Sequence, residues 1–290
     1  MTWWQALILG VVEGVTEYLP VSSTGHLILM AWLLGLSDTP DTWHAVNSFN
    51  IVIQFGAIIA VLILYWRRVW QIMRGILGVV SIGDGDSTGL RLAVNLFVAL
   101  LPAAVIGPVF ESAIEEHLFH PLPVVGALFV GAWMMLAVAY SRKLSHTEHK
   151  GSGLDHITWP IALLIGCGQC IAMWPGTSRS MITIVAALML GLRPRAAAEF
   201  SFLLGLVTLG GATGYRFVSD GGQMLEQIAV GPFVIGMVAS AISAMIAVRW
   251  FVGVLTRYGV APFGWYRLGL AAVITVLMAT GVLTVQGMFE

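Results

Sequence analysis

EGVTEYLPVSSTGH, residues 13 to 26, interrupts an apolar N-terminal stretch with two carboxylates, several hydroxyls and a histidine. A second polar insert, PGTSRS at residues 175 to 180, interrupts another apolar stretch and carries an arginine. Ionisable groups are costly at membrane depth, and those found there usually serve a function. These two inserts therefore predict both the fold and the place of the chemistry.

The composition is that of a polytopic membrane protein. Of 290 residues, 58% are hydrophobic and 10% are charged, and the mean hydropathy is +0.88. A soluble domain has roughly 45 to 50% apolar and about 25% charged residues. The formal net charge of -1 offers no broad basic surface, so we expect membrane lipid and not nucleic acid as a partner. We expect residues 1–290 to form a single integral membrane domain.

Six apolar stretches approach the roughly 20 residues that a helix needs to cross a membrane. They cover residues 43–66, 92–110, 122–140, 196–217, 229–248 and 268–287. Basic residues cluster between alternate stretches, namely Arg67, Arg68, Arg74 and Arg91, then Arg142, Lys143 and Lys150, then Arg193 and Arg195, then Arg249, Arg257 and Arg267. Cytoplasmic loops are enriched in Lys and Arg, so we expect these connections to be cytoplasmic.

Four shorter apolar segments are predicted to form two re-entrant hairpins. Segments 3–12 and 27–36 flank a tip around Pro20, and segments 157–174 and 180–192 flank a tip at Pro175. The basic flanks of the second pair indicate that it enters from the cytoplasmic side, whereas the first enters from outside. Non-helical backbone at membrane depth is tolerated where protein or a water-filled cavity surrounds it, so both tips should line a cavity.

The two hairpins resemble each other. Gly10 and Glu13 precede the first tip as Gly166 and Gln169 precede the second, about 156 positions later. Opposite entry sides make this an inverted-topology repeat, whose functional site belongs near the midplane. The expected fold is therefore all-α and polytopic, with six transmembrane helices plus two re-entrant helical hairpins, in halves of approximately 1–140 and 155–290.

Glu13 and Glu17 lie four residues apart, so on a helix both carboxylates project from one face. Their repulsion would be relieved by a divalent cation, which is typically held by one or two carboxylates together with substrate phosphates. We expect Mg²⁺, with Ca²⁺ as the second choice. The alternative is a polar patch neutralised by Arg179.

The first tip also holds hydroxyl groups beside a histidine, at Ser22, Ser23, Thr24 and His26. Ser23 and His26 are three residues apart, the separation at which helical side chains become neighbours, so they are the preferred pair of nucleophile and general base. The alternative is a helix cap next to a packed side chain.

The second tip has the composition of an anion site. Pro175 and Gly176 break one helix, Thr177 or Ser178 can cap the next, and Arg179 and Ser180 begin it. Free N–H groups, the positive helix end and a bidentate guanidinium all favour phosphate. Farther along the chain, Asn50 and Gln54 share a helical face and either line the cavity or hydrogen-bond to another helix.

In combination with FNIVIQFGA at residues 49 to 57 and EFSFLL at 199 to 204, the two tips strongly resemble the BacA-type undecaprenyl-diphosphatase family over essentially the whole chain. The resemblance implies hydrolysis of undecaprenyl diphosphate, which recycles the lipid carrier of bacterial cell-wall synthesis, at a site open to the periplasmic face of the inner membrane. It carries over the residues Glu13, Glu17, Ser22, Ser23, Thr24, His26, Thr177, Ser178, Arg179 and Ser180. The chain departs from the family pattern at Met181, where Gly is expected, at Asn50, and at 205–207, where a Pro is expected.

Phosphoryl transfer needs positioning and charge stabilisation more than covalent machinery, so this small set of residues suffices. We expect Ser23 to attack the terminal phosphorus while His26 handles its proton and Arg179 holds the developing charge; attack by His26 or by a water is the alternative. A polyprenyl-phosphate flippase or transporter is the rival class, because broken helices facing each other at the midplane are typical of transporters. A homodimer is compatible with the sequence.

Overall fold

The computed structural model describes residues 1–36, 40–79, 85–118, 121–144, 150–227 and 230–281. In these residues the named elements are all helical, which confirms the all-α class. The α-helices are α1 (Trp3–Thr16), α2 (Ser23–Leu33), α3 (Pro40–Leu64), α4 (Trp66–Val79), α5 (Ser87–Leu118), α6 (Pro121–Leu144), α7 (Trp159–Cys170), α8 (Arg179–Met189), α9 (Pro194–Gln227), α10 (Val230–Tyr258) and α11 (Ala261–Ala279).

Five described helices, α5, α6, α9, α10 and α11, are long and apolar enough to cross a membrane. A sixth span results if α3 and α4 count as one, although the chain bends by 79° between them. The polytopic character is therefore confirmed, with five or six spans.

The arginines assigned to the first cytoplasmic loop lie partly on α4. The basic and apolar residues of this helix occupy opposite faces, as in helices at a membrane interface.

The last span differs most from its prediction. The helix begins at Ala261 and not at 268, and α10 continues to Tyr258. Arg249 and Arg257 therefore lie on the end of α10, and Arg267 lies inside α11, not in a loop. Residues 282–287 of the predicted span lie outside the described residues.

The first polar insert breaks a helix as predicted. A capping box starts α1, in which Gln5 N donates to Thr2 Oγ1 at 3.4 Å and Thr2 N donates to Gln5 Oε1 at 2.8 Å. After Glu17 the chain turns, and α2 begins at Ser23 with Ser22 as its N-cap. The break between the two short helices contains Pro20 and lies between the carboxylate of Glu17 and the hydroxyl of Ser22.

The second insert repeats this geometry. A 3₁₀ turn, Ile171–Met173, follows α7, and α8 begins at Arg179 with Ser178 as its N-cap. Ser22 and Ser178 have φ values of 73° and 71°, and among the described residues they are the non-glycine residues with positive φ. Backbone conformations of this kind cost about 1 to 3 kcal/mol and concentrate at functional sites.

Small residues let each broken helix pack on a helix of the other half. Helix α1 packs on α10 and α7 packs on α5. A Cβ on Gly10 would collide with the backbone of Gly236, and a Cβ on Gly166 would collide with the backbone of Ala99. Close approach of this kind is the usual means of joining helices in lipid. The exchange of partners between the two halves brings the two tips toward each other.

Candidate active site

The carboxylate of Glu17 joins the two tips. Ser23 Oγ donates to Glu17 Oε2 at 2.7 Å, and Arg179 Nη2 donates to Glu17 Oε1 at 3.1 Å. The side chains of Arg179 and Glu17 are only 12% and 7% exposed. A hydroxyl and a guanidinium therefore share one buried carboxylate, within reach of a single phosphate group.

Ser23 and Arg179 occupy equivalent positions in the two halves. Each is the first residue of a short helix, and each follows the serine of positive φ that caps that helix. The first N–H groups of a helix have no partner within it, and the helix end is partially positive. Two such ends therefore meet here, one presenting a hydroxyl and the other a guanidinium, which suits an anionic group between them.

Arg179 is held by contacts around its guanidinium. Nη1 donates to the Ser201 carbonyl at 3.0 Å, and Cζ lies 5.2 Å from the centre of the Tyr18 ring. A Cβ on Gly205 would collide with the guanidinium, so a glycine at this position leaves room for it. Arg179 Nε is buried without a hydrogen-bond partner among the described residues, and a phosphate oxygen would supply one.

Serines and threonines connect the second tip to the first and to α9. Ser180 Oγ donates to the Leu19 carbonyl at 2.8 Å and lies 3.0 Å from Ser178 Oγ. Thr183 Oγ1 lies 2.6 Å from Ser201 Oγ. These hydrogen bonds join the second tip to the first and to α9, and contact of Ser178 and Ser180 with substrate stays a prediction.

His26 is oriented away from Ser23. Its Nδ1 lies 2.7 Å from the Ser22 carbonyl, so Nδ1 carries the proton, and its Nε2 accepts from the Tyr266 hydroxyl at 2.7 Å. The predicted hydrogen bond between Ser23 and His26 is thus not formed. Because Ser23 donates to Glu17, the carboxylate is the group placed to take its proton.

Glu13 is buried, and its Oε2 has no hydrogen-bond partner within the described part of the chain. An unpaired buried carboxylate oxygen one helical turn from Glu17 fits a divalent cation that is completed by substrate phosphate. Within the described residues no group of three or more His, Cys, Asp or Glu side chains is assembled. Any cation held here would therefore depend on these two carboxylates and on the substrate.

Arg267 lies beside the second tip, although the sequence predicted it to lie in a loop. It is fully buried on α11, and it donates to the carbonyls of Leu128 at 3.3 Å, Ala127 at 3.0 Å and Gly176 at 3.0 Å. Gly176 belongs to the second tip, so Arg267 ties that tip to α6. The only signal in the sequence was its position beside Tyr266 in an otherwise apolar stretch.

The remaining predicted residues are distributed as follows. Thr24 lies in the first turn of α2, and Thr177 is buried just before α8. Gln54 accepts from Thr213 Oγ1 at 3.0 Å, so it joins α3 to α9. This is the helix-to-helix hydrogen bond that the sequence offered as one of two possibilities, and contact of Gln54 with substrate stays a prediction.

Two broken helices meet inside a bundle of apolar helices, with a buried carboxylate and a half-buried hydroxyl and guanidinium between them. The class of protein that this fold defines is a polytopic membrane protein with a polar centre. Comparison with known proteins identifies the family. The chain belongs to the family described as bacitracin resistance protein BacA, whose model matches residues 6–273.

Curated relatives cover nearly the whole chain. An undecaprenyl-diphosphatase of Sorangium cellulosum is 44% identical over 276 residues, which is 94% of this chain and 86% of the relative. One from Nitrosomonas europaea is 39% identical over 277 residues, covering 96% and 95%. One from Azotobacter vinelandii is 40% identical over 286 residues, covering 98% of both.

Proposed function

We propose that this protein hydrolyses undecaprenyl diphosphate to undecaprenyl phosphate and inorganic phosphate. The observation that carries the proposal is the Glu17 carboxylate shared by Ser23 and Arg179, together with relatives of nearly full length that are named undecaprenyl-diphosphatases. Those names do not favour the flippase alternative.

Ser23 Oγ attacks the terminal phosphorus, and its proton passes to Glu17 across the 2.7 Å hydrogen bond. The bond to the bridging oxygen breaks, and undecaprenyl phosphate leaves. Water then attacks the phosphoserine, and the Ser23 oxygen leaves with the proton that Glu17 returns to it. Both protons of the water stay on the inorganic phosphate, which departs as dihydrogen phosphate. Arg179 exchanges its bond to Glu17 for the equatorial oxygens, where preorganised donors stabilise the developing charge.

His26 supports this arrangement through the Ser22 carbonyl, which it holds at 2.7 Å next to the nucleophile. Direct attack by His26 or by a water is the alternative to attack by Ser23. Attack by Ser23 leaves a phosphoserine, whereas attack by His26 leaves a phosphohistidine. Trapping the phosphorylated protein with a denaturant at neutral pH separates the routes, because phosphoserine keeps its phosphate when acid is then added, phosphohistidine loses it, and a water route leaves neither.

Glu13 and Glu17 are the residues that would hold a divalent cation, Mg²⁺ before Ca²⁺. Such a cation neutralises diphosphate charge when bound. Glu13 supplies an unpaired buried oxygen for it, whereas Glu17 already serves Ser23 and Arg179. The larger share of the binding is therefore assigned to Glu13.

For the architecture, we propose that α1 with α2 and α7 with α8 are re-entrant hairpins of an inverted repeat, in a bacterial inner membrane. The matched caps at Ser22 and Ser178 and the exchanged packing of α1 on α10 and α7 on α5 support it. The basic ends of α6 and α10 then face the cytoplasm, the site opens toward the periplasm, and the polyprenyl tail stays in lipid. A homodimer remains a prediction, tested by the mass of the protein in a micelle of known size.

The reaction is tested by phosphate release from undecaprenyl diphosphate by purified protein. Arg179→Ala should lower the rate about 10²- to 10³-fold, the usual effect of losing one preorganised donor. Arg249→Ala, which removes an exposed charge at the end of α10, is the matched control and should keep the wild-type rate. Wild-type turnover by both Ser23→Ala and Arg179→Ala would contradict the assignment.

A further inference from the structure

A cavity of about 680 Å³ lies on the outside of the bundle, where the ends of α6 and α10 meet the start of α11. Its lining includes three basic side chains, Arg142, Lys143 and Arg257. No acidic side chain lines it within the described residues. The volume is in the range of small-molecule sites, about 300 to 1,000 Å³.

The cavity is basic at one end and apolar at the other. Lys143 lies in the last turn of α6, and Trp133, at the other end, lies about 15 Å away along the same helix. Between them the wall is formed by side chains such as Leu136 and Ala137. This gradient over about one half of a membrane core matches a headgroup and the first part of an acyl chain.

Two of the cationic groups at the basic end, Lys143 and Arg257, are exposed to a ligand. Arg142 is positioned by backbone carbonyls, donating to Leu188 at 2.8 Å and to Lys150 at 2.8 Å. Lys143 and Arg257 are exposed, and among the residues that the structure describes neither forms an ion pair with a carboxylate. Two exposed positive charges at one end of a cavity favour an anion there.

Aromatic side chains frame the opening and face outward. Tyr140, Tyr258 and Trp265 line the cavity and are 66%, 63% and 64% exposed. Trp and Tyr are enriched where a membrane protein meets lipid headgroups. The opening therefore lies at the headgroup level of the leaflet on the basic side of the protein, and it is accessible from lipid.

This cavity is separate from the site that holds Glu17 and Arg179. Trp265 lines it on the outer face of α11, whereas the next residue, Tyr266, bonds to His26, and Arg267 is buried against α6. The first turns of α11 thus stand between the two. An occupant of the cavity would contact none of the residues assigned to the reaction.

We propose that this cavity binds the phosphate headgroup of an anionic phospholipid, with Lys143 and Arg257 beside the phosphate and an acyl chain along α6. Basic pockets between membrane helices on the cytoplasmic side are suited to such headgroups. A phosphate group could also come from inorganic phosphate, but the apolar wall toward Trp133 has a function only for a ligand that carries a chain.

The test is native mass spectrometry of the full-length protein, delipidated in detergent and titrated with phosphatidylglycerol or with phosphatidylcholine of the same acyl chains. Phosphatidylglycerol should bind more tightly, and Lys143→Gln/Arg257→Gln should weaken it roughly thirtyfold, the effect of two basic groups at about 1 kcal/mol each. Arg67→Gln/Arg74→Gln, which removes two exposed charges from α4 outside the cavity, should bind like the wild type.

Several results would overturn the proposal. Equal binding of the two lipids by the wild type would show no preference for an anionic headgroup. An equal loss in both double variants would assign binding to overall charge. Displacement of phosphatidylglycerol by inorganic phosphate at equal concentration would assign the site to free phosphate. The wild-type comparison of the two lipids decides the matter even if the cavity variant does not fold.

Discussion

Glu17→Gln is the most direct test of the shared carboxylate, because it keeps the shape of the side chain and removes its charge. Arg179 would then stay buried without its counter-charge. Removing one partner of a buried ion pair costs about 3 to 5 kcal/mol. The two side chains are 12% and 7% exposed, so screening by solvent reduces this little.

The same change removes the acceptor for the Ser23 proton. Loss of a positioned general base lowers a rate typically 10²- to 10⁴-fold. We therefore expect Glu17→Gln to unfold at a lower temperature in detergent and to release phosphate at least about a hundredfold more slowly than the wild type. The matched control is Glu116→Gln, an exposed carboxylate on α5, which should change neither quantity.

A double-mutant cycle separates the ion pair from the chemistry. Arg179→Gln alone should also destabilise, since it leaves the Glu17 carboxylate buried. Glu17→Gln/Arg179→Gln should be more stable than the sum of the two losses predicts, because neither charge is left unpaired. The reasoning is refuted if the losses simply add, or if Glu17→Gln retains phosphate release within about twofold.

Three further changes test the surroundings of the site. Gly205→Ala should slow phosphate release at least about tenfold in the same assay, because the new methyl group displaces the guanidinium, whereas Gly210→Ala on the same helix meets open space and should be neutral. Tyr266→Phe removes the donor to His26 Nε2, so His26 should hold the Ser22 carbonyl less firmly and phosphate release should slow while the unfolding temperature stays near that of the wild type. Glu13→Gln should weaken activation by Mg²⁺, measured by titrating the cation into chelator-treated protein.

Each of these has a result that contradicts it. Equal rates for the two glycine variants would mean that the guanidinium has room to move. Unchanged phosphate release after the tyrosine substitution would show that the hydrogen bond from Tyr266 does not support the site. An unaltered Mg²⁺ response in Glu13→Gln would place the cation elsewhere or exclude it.

The site was predictable where it depends on local chemistry. Proline and polar residues in apolar segments predict broken helices, and Ser22 and Ser178 cap the following helices as such residues commonly do. The pairing of Arg179 with Glu17 was foreseen only as the alternative to a metal site. The partner of the Ser23 proton was not foreseen, since helical spacing favoured His26 and the turn at the tip brings Glu17 there instead.

By itself, the sequence determined that this is a helical membrane protein with two polar breaks, because hydropathy and helix-breaking residues act over short distances along the chain. Tertiary structure alone decided that Arg267 is buried against α6 and the second tip, and that the hydroxyl and the guanidinium share one carboxylate. The contacts responsible join residues 140 and 162 positions apart. In the sequence, a charged residue indicates the end of a membrane-spanning segment. Inside the bundle, carbonyl groups and a carboxylate from distant segments replace the water that such a residue loses on burial.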